Sequence, residues 1–444
     1  MEQEQELSQD FNLFSLLKFV APSIFTFVFI AVYQMVDGIF IERFVGELAI
    51  SAINLFYPLM GLFIATGIML GTGGNAMIVK LVGEGNKKKA GQVFSETILF
   101  TILTGIVITV VCLLFSDPIM RLCGATEGNI EYLRPYYTVM CTFSIAIIMQ
   151  SLLGIFIIGE GKTVVAAVVI MVGGTLNCLL DYVFMKYFNM GIGGAAIATV
   201  IGYCSTIAYA IWFYIIAGKS SYNLELTHIN MREIGKICFN GSSDMASNLA
   251  GGVTALFMNH LAYRFYGESG VSALSIWSYL QFLILAVFMG FTSAVEPVFS
   301  YHYGSGNIQM RKKVYRLSVI WSFALGISIM VLAFLFRNQL IGIFFEQNTV
   351  FFDIARYGLT LSLPACLFVG INTFASGLFT AFSNGAVSFA LSMIRTFFVL
   401  TVCLYGLTAV LGGTGLWLAW PVAEVISFVI TLFTLRHYQG KYLY

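Results

Sequence analysis

Three carboxylates stand in stretches of this sequence that are otherwise apolar. Asp37 closes a hydrophobic run that begins at Phe19, Asp181 lies in NCLLDYVFM (177–185), and Glu296 opens EPVFSYHYG (296–304). A charge inside such a run is costly, and by default it marks a path for ions or substrate. Tyr33, Gln34 and Asp37 are spaced i, i+1, i+4, so on a helix they can share one face, and Asn177 stands one turn before Asp181. A carboxylate held out of water alternates between a neutral protonated form and a charged form that needs a cation. That chemistry suits the ion-coupled movement of cations. The plainer alternative is that Asp37 or Asp181 caps a neighbouring helix or sits in water near the surface.

Glu296 has two readings of equal weight: it faces a cavity and draws a cationic substrate, or it bonds to nearby hydroxyls. Asp244 and Glu424 are further acids in apolar surroundings. Arg395 and Glu424 fall at similar depths in consecutive apolar runs, so an internal ion pair that neutralises both is expected. Pro22 lies early in the first run and permits a bend there, either a static kink or one that moves when Asp37 changes charge.

Other patterns carry no chemistry. GEGKT (159–163) ends like a phosphate loop, but Phe156 stands where that loop needs its first glycine. Asn240-Gly-Ser242 reads as a glycosylation signal on what charge places at the cytoplasmic side. The four histidines are isolated, and the eight cysteines form no CxxC or zinc spacing. No nucleophile stands at a recognised distance from a base. The sequence predicts no enzyme, no catalytic residue, no metal site and no cofactor beyond a coupling ion.

The elements that must hold these residues follow from composition. Of 444 residues, 59% are hydrophobic and only 10% charged, where a soluble domain carries about 25% charged residues. The mean hydropathy is +0.87. Such a chain has the bilayer as its solvent. A net charge of +1 gives no attraction to nucleic acid. Twelve apolar runs are long enough to span, at 19–41, 52–79, 93–115, 136–158, 164–185, 195–217, 238–262, 271–301, 317–336, 358–380, 387–410 and 415–435. The start, MEQEQELSQD, is acidic, so the first run is expected to be a retained span rather than a cleaved signal. With the N-terminus inside, fifteen Lys and Arg fall on the inner side, including Lys87–Lys89, against seven outside. Both termini are therefore expected to be cytoplasmic, in a plasma-membrane protein crossing many times.

The second half repeats the first. ERFVGELAISAINLFYPL (42–59) aligns without a gap to YRFYGESGVSALSIWSYL (263–280) at an offset of 221, and Gly83, Gly85 and Asn86 recur as Gly304, Gly306 and Asn307. GIGGAAIATV (191–200) matches GTGLWLAWPV (413–422) at 222. Six spans per copy is an even number, so the copies are parallel: an all-α integral membrane protein of two six-helix bundles. The lobes are expected at 1–217 and 237–444, with a cytoplasmic linker at 218–236 acting as hinge, and a substrate cavity between lobes that rock. By the repeat, Asp37 corresponds to Met258, Asp181 to Cys403 and Glu296 to Asn75. Acids needed only to fold a six-helix unit would appear in both copies.

These motifs together resemble the multidrug and toxic compound extrusion (MATE) family over nearly the whole chain. The resemblance rests on VDGIFIERFVGELAISA (36–52), GTGGNAMIVKLVGEGNKKKA (71–90), NCLLDYVFM with GIGGAAIAT (191–199), and EPVFSYHYGSGN (296–307), the last pointing to the bacterial MepA-like branch. It implies antiport of a proton or sodium against lipophilic organic cations. It also implies a coupling-ion site at Asp37, Asn177, Asp181 and Thr199, with Pro22 at a bend. The residues themselves, the face shared by Tyr33 and Gln34 and the place of Glu296 in its span, put these three toward substrate. The acids that sodium-coupled members carry in the C-terminal lobe are not evident here, which favours protons. A monomer in contact with membrane lipids is expected. A flippase for lipid-linked sugars is the alternative; it needs an arginine-lined cavity, and only Arg395 lies deep in a span.

Overall fold

The computed structural model describes residues 6–45, 47–127, 129–218, 220, 222, 224–225, 228–344 and 349–444, without the side chains of 38, 39, 41–45 and 47–52. Gly46 and the repeated side chains Arg43, Phe44, Glu47, Ser51 and Ala52 lie outside that set. Hydrocarbon offers no water to a bare amide, so apolar runs close their hydrogen bonds internally as helices.

The spans are α1 (Leu13–Val45), α2 (Glu47–Gly83), α3 (Lys87–Leu114), α4 (Ile130–Thr142 and Ser144–Gly159, bent by 54°), α5 (Thr163–Lys186) and α6 (Gly191–Ile211, continued by a π turn, Trp212–Ile216). One helical run, Met231–Gly304, contains two more: Gly267, at φ +63°, breaks it into α7 (231–266) and α8 (268–304). Then come α9 (Ile308–Leu335), α10 (Val350–Ser362, a 3-10 turn through Pro364, and Cys366–Ala381), α11 (Gly385–Leu411, with a π turn at Ile394–Val399) and α12 (Gly413–Tyr442). Among the described residues this makes twelve crossings, as the sequence predicts.

The helices outrun their apolar stretches. The polar breaks 80–92 and 303–313 shrink to turns of three residues. In each, a left-handed glycine (Gly85, φ +78°; Gly306, φ +70°) ends the turn, and an asparagine caps the next helix. Asn86 accepts from the Lys89 amide at 3.2 Å, and Asn307 from the Met310 amide at 3.0 Å. This local geometry requires the repeated Gly-Asn pair. Pro22 does not break α1, which runs unbroken across it, and Thr26 Oγ1 donates to the Pro22 carbonyl at 2.8 Å.

The spans form two lobes, α1–α6 and α7–α12, with buried apolar clusters toward each end of both. The first turns of α1 reach across: Leu16, Phe19 and Val20 are buried among Phe291, Val295 and Phe379 of the other lobe. At the end bearing both termini the lobes meet backbone to backbone. Gly83 lies against the Tyr301 carbonyl and Gly304 against the Lys80 carbonyl. Gly73 and Gly241 abut in the same way where α2 crosses α7, and Gly290 lies on Ser23 and Ile24 of α1. Gly83 and Gly304 are repeat equivalents, so the approximate two-fold axis passes through their contact. Small residues permit such close approach, and in lipid that packing is what holds helices together.

The segment between the lobes is shorter and less free than expected, because α7 begins at Met231 with Asn230 as its cap. What precedes it is fastened to the N-terminal lobe. Tyr222 is buried against Phe94, with ring centroids 5.0 Å apart, and burial pushes its phenol well above the ordinary range. The Glu225 amide donates to Ser95 Oγ at 2.9 Å, the Asn230 amide to Glu96 at 3.3 Å, and Lys89 pairs with Glu233 at 2.9 Å. Residues 219, 221, 223, 226 and 227 of the expected hinge lie outside the described set.

Because a methyl on Gly73 would collide with the Ile237 carbonyl, Gly73→Ala should hold the lobes apart at the terminal end. Spin labels placed on α2 and α7 should report a longer distance, with lower transport. Gly251→Ala, whose methyl meets nothing within 4 Å, should change neither.

Candidate functional site

In the N-terminal lobe α1, α5 and α6 converge on glycines. A methyl at Gly173 would lie 2.7 Å from the Gly202 carbonyl, one at Gly202 would lie 2.8 Å from the Gly173 carbonyl, and Gly174 is covered by Phe29 and Tyr33. Above this crossing, one face of α5 carries Asn177 and Asp181, one turn apart. Asn177 Nδ2 donates to Asp181 Oδ2 at 3.1 Å and to Thr199 Oγ1 of α6 at 3.2 Å, while Thr199 donates back to the Ala195 carbonyl at 3.0 Å. Asp181 is 0% exposed and Asn177 3%, which removes a bath of surface water as their setting. From α1, the Asp37 carboxyl interacts directly with that of Asp181. Asp37, Asn177, Asp181 and Thr199 thus form one cluster drawn from three helices.

Its hydrogen bonding is incomplete. Asp37 Oδ1, Asp181 Oδ1 and Asn177 Oδ1 are all buried without a partner. Two adjoining carboxylates and an orphaned amide oxygen make a site that needs a proton or a cation to be neutral and satisfied. All the donors are oxygen, which suits a proton or a hard cation such as sodium. Among the described residues no group of three His, Cys, Asp or Glu side chains could hold a metal.

A small cavity, with room for about one water, adjoins the cluster, lined by Tyr33, Asn177 and Thr199 together with Gln150, Tyr203 and Thr206. The last three were not singled out from sequence. A signal was present: Thr199, Tyr203 and Thr206 are spaced i, i+4, i+7, and Gln150 is polar inside an apolar run. Tyr33 lines the cavity, whereas Gln34 is exposed and does not.

Glu296 belongs to the other lobe, on α8, and is 8% exposed. Its Oε1 has no partner, and the Ser300 hydroxyl bonds its backbone carbonyl instead, at 3.2 Å. Arg395 and Glu424 form the expected ion pair, Nε to Oε1 at 2.9 Å. In the C-terminal lobe the counterparts of the N-lobe acids, Met258 and Cys403, are buried in an apolar cluster.

Three comparisons bear on this arrangement. The MatE family profile matches residues 22–183 and 245–405. The "Multidrug export protein MepA" of Staphylococcus aureus (strain MRSA252) is 24% identical over 430 residues, which is 95% of this chain and 94% of that protein. Two solved structures superpose on nearly the whole chain. One is described as MATE in the straight conformation: TM-score 0.93, 21% identity, 99% of each chain. The other is described as the outward-facing conformation of a multidrug resistance MATE family transporter: TM-score 0.92, 22% identity, 99% of this chain and 98% of that one.

Asn177 is the link between α5 and α6. Asn177→Leu removes both of its bonds and leaves the Asp181 and Thr199 oxygens without their donor, at a cost of about 1–3 kcal/mol. The unfolding midpoint of the purified protein should fall. An unchanged midpoint would mean that the amide holds nothing in place.

Proposed function

The chain belongs to the MatE family, and from that membership we propose that it is a proton-coupled antiporter that exports lipophilic organic cations across the plasma membrane, with both termini in the cytoplasm. It is a multi-pass membrane transporter and not an enzyme. One observation carries the finer reading: the Asp37–Asp181 pair, joined to Thr199 through Asn177, exists in the N-terminal lobe alone and is short of hydrogen-bond partners. The likeness to the multidrug export protein of S. aureus supports drug-like cations as cargo.

The cycle follows from charge. With the lobes closed at the terminal end, as here, the site is reached from outside. A proton enters the Asp37–Asp181 pair and removes the charge that holds a bound cation, which leaves. Its carboxylates take up the next cation once the proton has gone to the cytoplasm. One site cannot satisfy a proton and a drug's charge together, so the two fluxes exchange. Tyr33, on the same helix as Asp37, connects the pair to the cavity, and Pro22 gives α1 a point at which to bend. Glu296 adds a carboxylate from the opposite lobe. The same oxygen donors would also hold sodium, so the coupling ion is decided by experiment.

Purified protein in liposomes should expel a fluorescent lipophilic cation under an inward proton gradient alone, and Asp37→Asn should reduce this at least about tenfold, the loss expected when a charge-specific contact worth about 1.4 kcal/mol or more is removed. Efflux driven only by sodium would reassign the coupling ion. No efflux under either gradient would overturn cation export and leave a lipid-linked cargo as the reading to test.

A further inference from the structure

The two lobes share one register across α4–α6 and α10–α12. The second half of α4 runs Ser144–Gly159, and that of α10 runs Cys366–Ala381, each boundary displaced by 222. The next turns agree: Gly161 (φ +76°) matches Ser383 (φ +56°), and the cap residue Lys162 matches Asn384. This register puts Gln150, Gly173 and Gly202 of the N-terminal lobe onto Asn372, Arg395 and Glu424 of the C-terminal lobe. Contacts bear it out: Gly173 touches Gly202, and Arg395 touches Glu424.

In the N-terminal lobe those three positions line the cavity, and both glycines lack a side chain to fill it. In the C-terminal lobe the same positions are filled. Arg395 Nε donates to Glu424 Oε1 at 2.9 Å and Nη1 to Thr373 Oγ1 at 2.8 Å. Asn372 Nδ2 donates to Glu424 Oε2 at 2.7 Å, leaving Asn372 Oδ1 buried without a partner. The guanidinium therefore sits as a ligand would, on a carboxylate that is 3% exposed and oriented by an amide. Arg395 stands in the π turn of α11, a widening that α5 lacks among its described residues.

We propose that Arg395 is the tethered occupant of a second cation site, the C-terminal copy of the N-lobe cavity, and that without it this site takes small planar guanidinium cations. A permanently seated cation confines exchange with free cations to the N-terminal lobe. The inference needs neither proton coupling nor any particular cargo.

Full-length protein is titrated with methylguanidinium chloride and the unfolding midpoint followed, with sodium and tetramethylammonium chlorides as controls. Arg395→Gly copies the residue of the N-terminal lobe and leaves Glu424 uncompensated. Its midpoint should start below that of the parent and rise by roughly 3 °C at saturation with methylguanidinium, as ligand linkage requires. Neither control salt should raise it. The parent, and Arg395→Gly/Glu424→Gly, which carries glycine at both positions, should not respond. No rise in Arg395→Gly, or an equal rise in the parent or the double variant, overturns the proposal. If Arg395→Gly folds only when methylguanidinium is present, the proposal is supported. If it fails to fold even then, whether or not the double variant folds, the proposal is overturned, because neither the seated cation nor the glycine pair would then be what this site requires.

Discussion

Close approach of bare backbone is the constraint from which the rest of this molecule follows. Hydrocarbon gives helices no hydrophobic reason to associate, so the lobes are joined where side chains are missing. Gly83 lies on Gly304's helix, Gly73 on Gly241's and Gly290 on α1. The same device, Gly173 against Gly202, brings α5 and α6 near enough for a single asparagine to bridge Asp181 and Thr199. Glycine placement thus sets both the closed end of the transporter and the geometry of its acids.

Buried charge is handled differently in each lobe. In the C-terminal lobe Arg395, Glu424, Asn372 and Thr373 bond to one another, and Asn372 Oδ1 and, on α8, Glu296 Oε1 are left without a partner. The N-terminal lobe leaves three oxygens unsatisfied around Asp37 and Asp181. Two copies of one fold have diverged: one pairs a buried acid with an arginine, the other sets two acids side by side. A polar network that is satisfied rigidifies its surroundings, and one that is not remains open to exchange.

Much of this was legible in the sequence. The twelve apolar runs, the 221–222 offset and the solitary acids follow from patterns of period and charge, and the Arg395–Glu424 pair followed from their depths. Asp181 and Asn177 were legible as polar groups one turn apart in an apolar run, Thr199 only through family resemblance, and the three side chains do meet. Other features depend on tertiary contact and leave little local trace. The bend after Thr142 and the 3-10 turn in α10 occur inside continuous apolar stretches, so hydropathy cannot mark them. Gln34 shares a helix with Tyr33 and Asp37, but the i, i+1 step rotates it off the face that meets α5. Tyr203 and Gln150 are polar residues that a search for charge passes over. The segment before α7 looked free because it is polar, and polarity does not distinguish a solvated tether from one bonded to its neighbour.

That last segment changes where motion can be accommodated. Tyr222, Glu225, Asn230 and Glu233 are bound to α3 and its surroundings, while Asn240 of α7 donates to the Thr380 carbonyl of α10. One rod is therefore held by the N-terminal lobe at Glu233 and again where Ile237 and Gly241 meet Gly73, and by the C-terminal lobe at Asn240. If the lobes rock, the strain falls on that short length of α7 rather than on slack chain before it. In such a motion that length of α7 would act as a torsion spring rather than a slack tether.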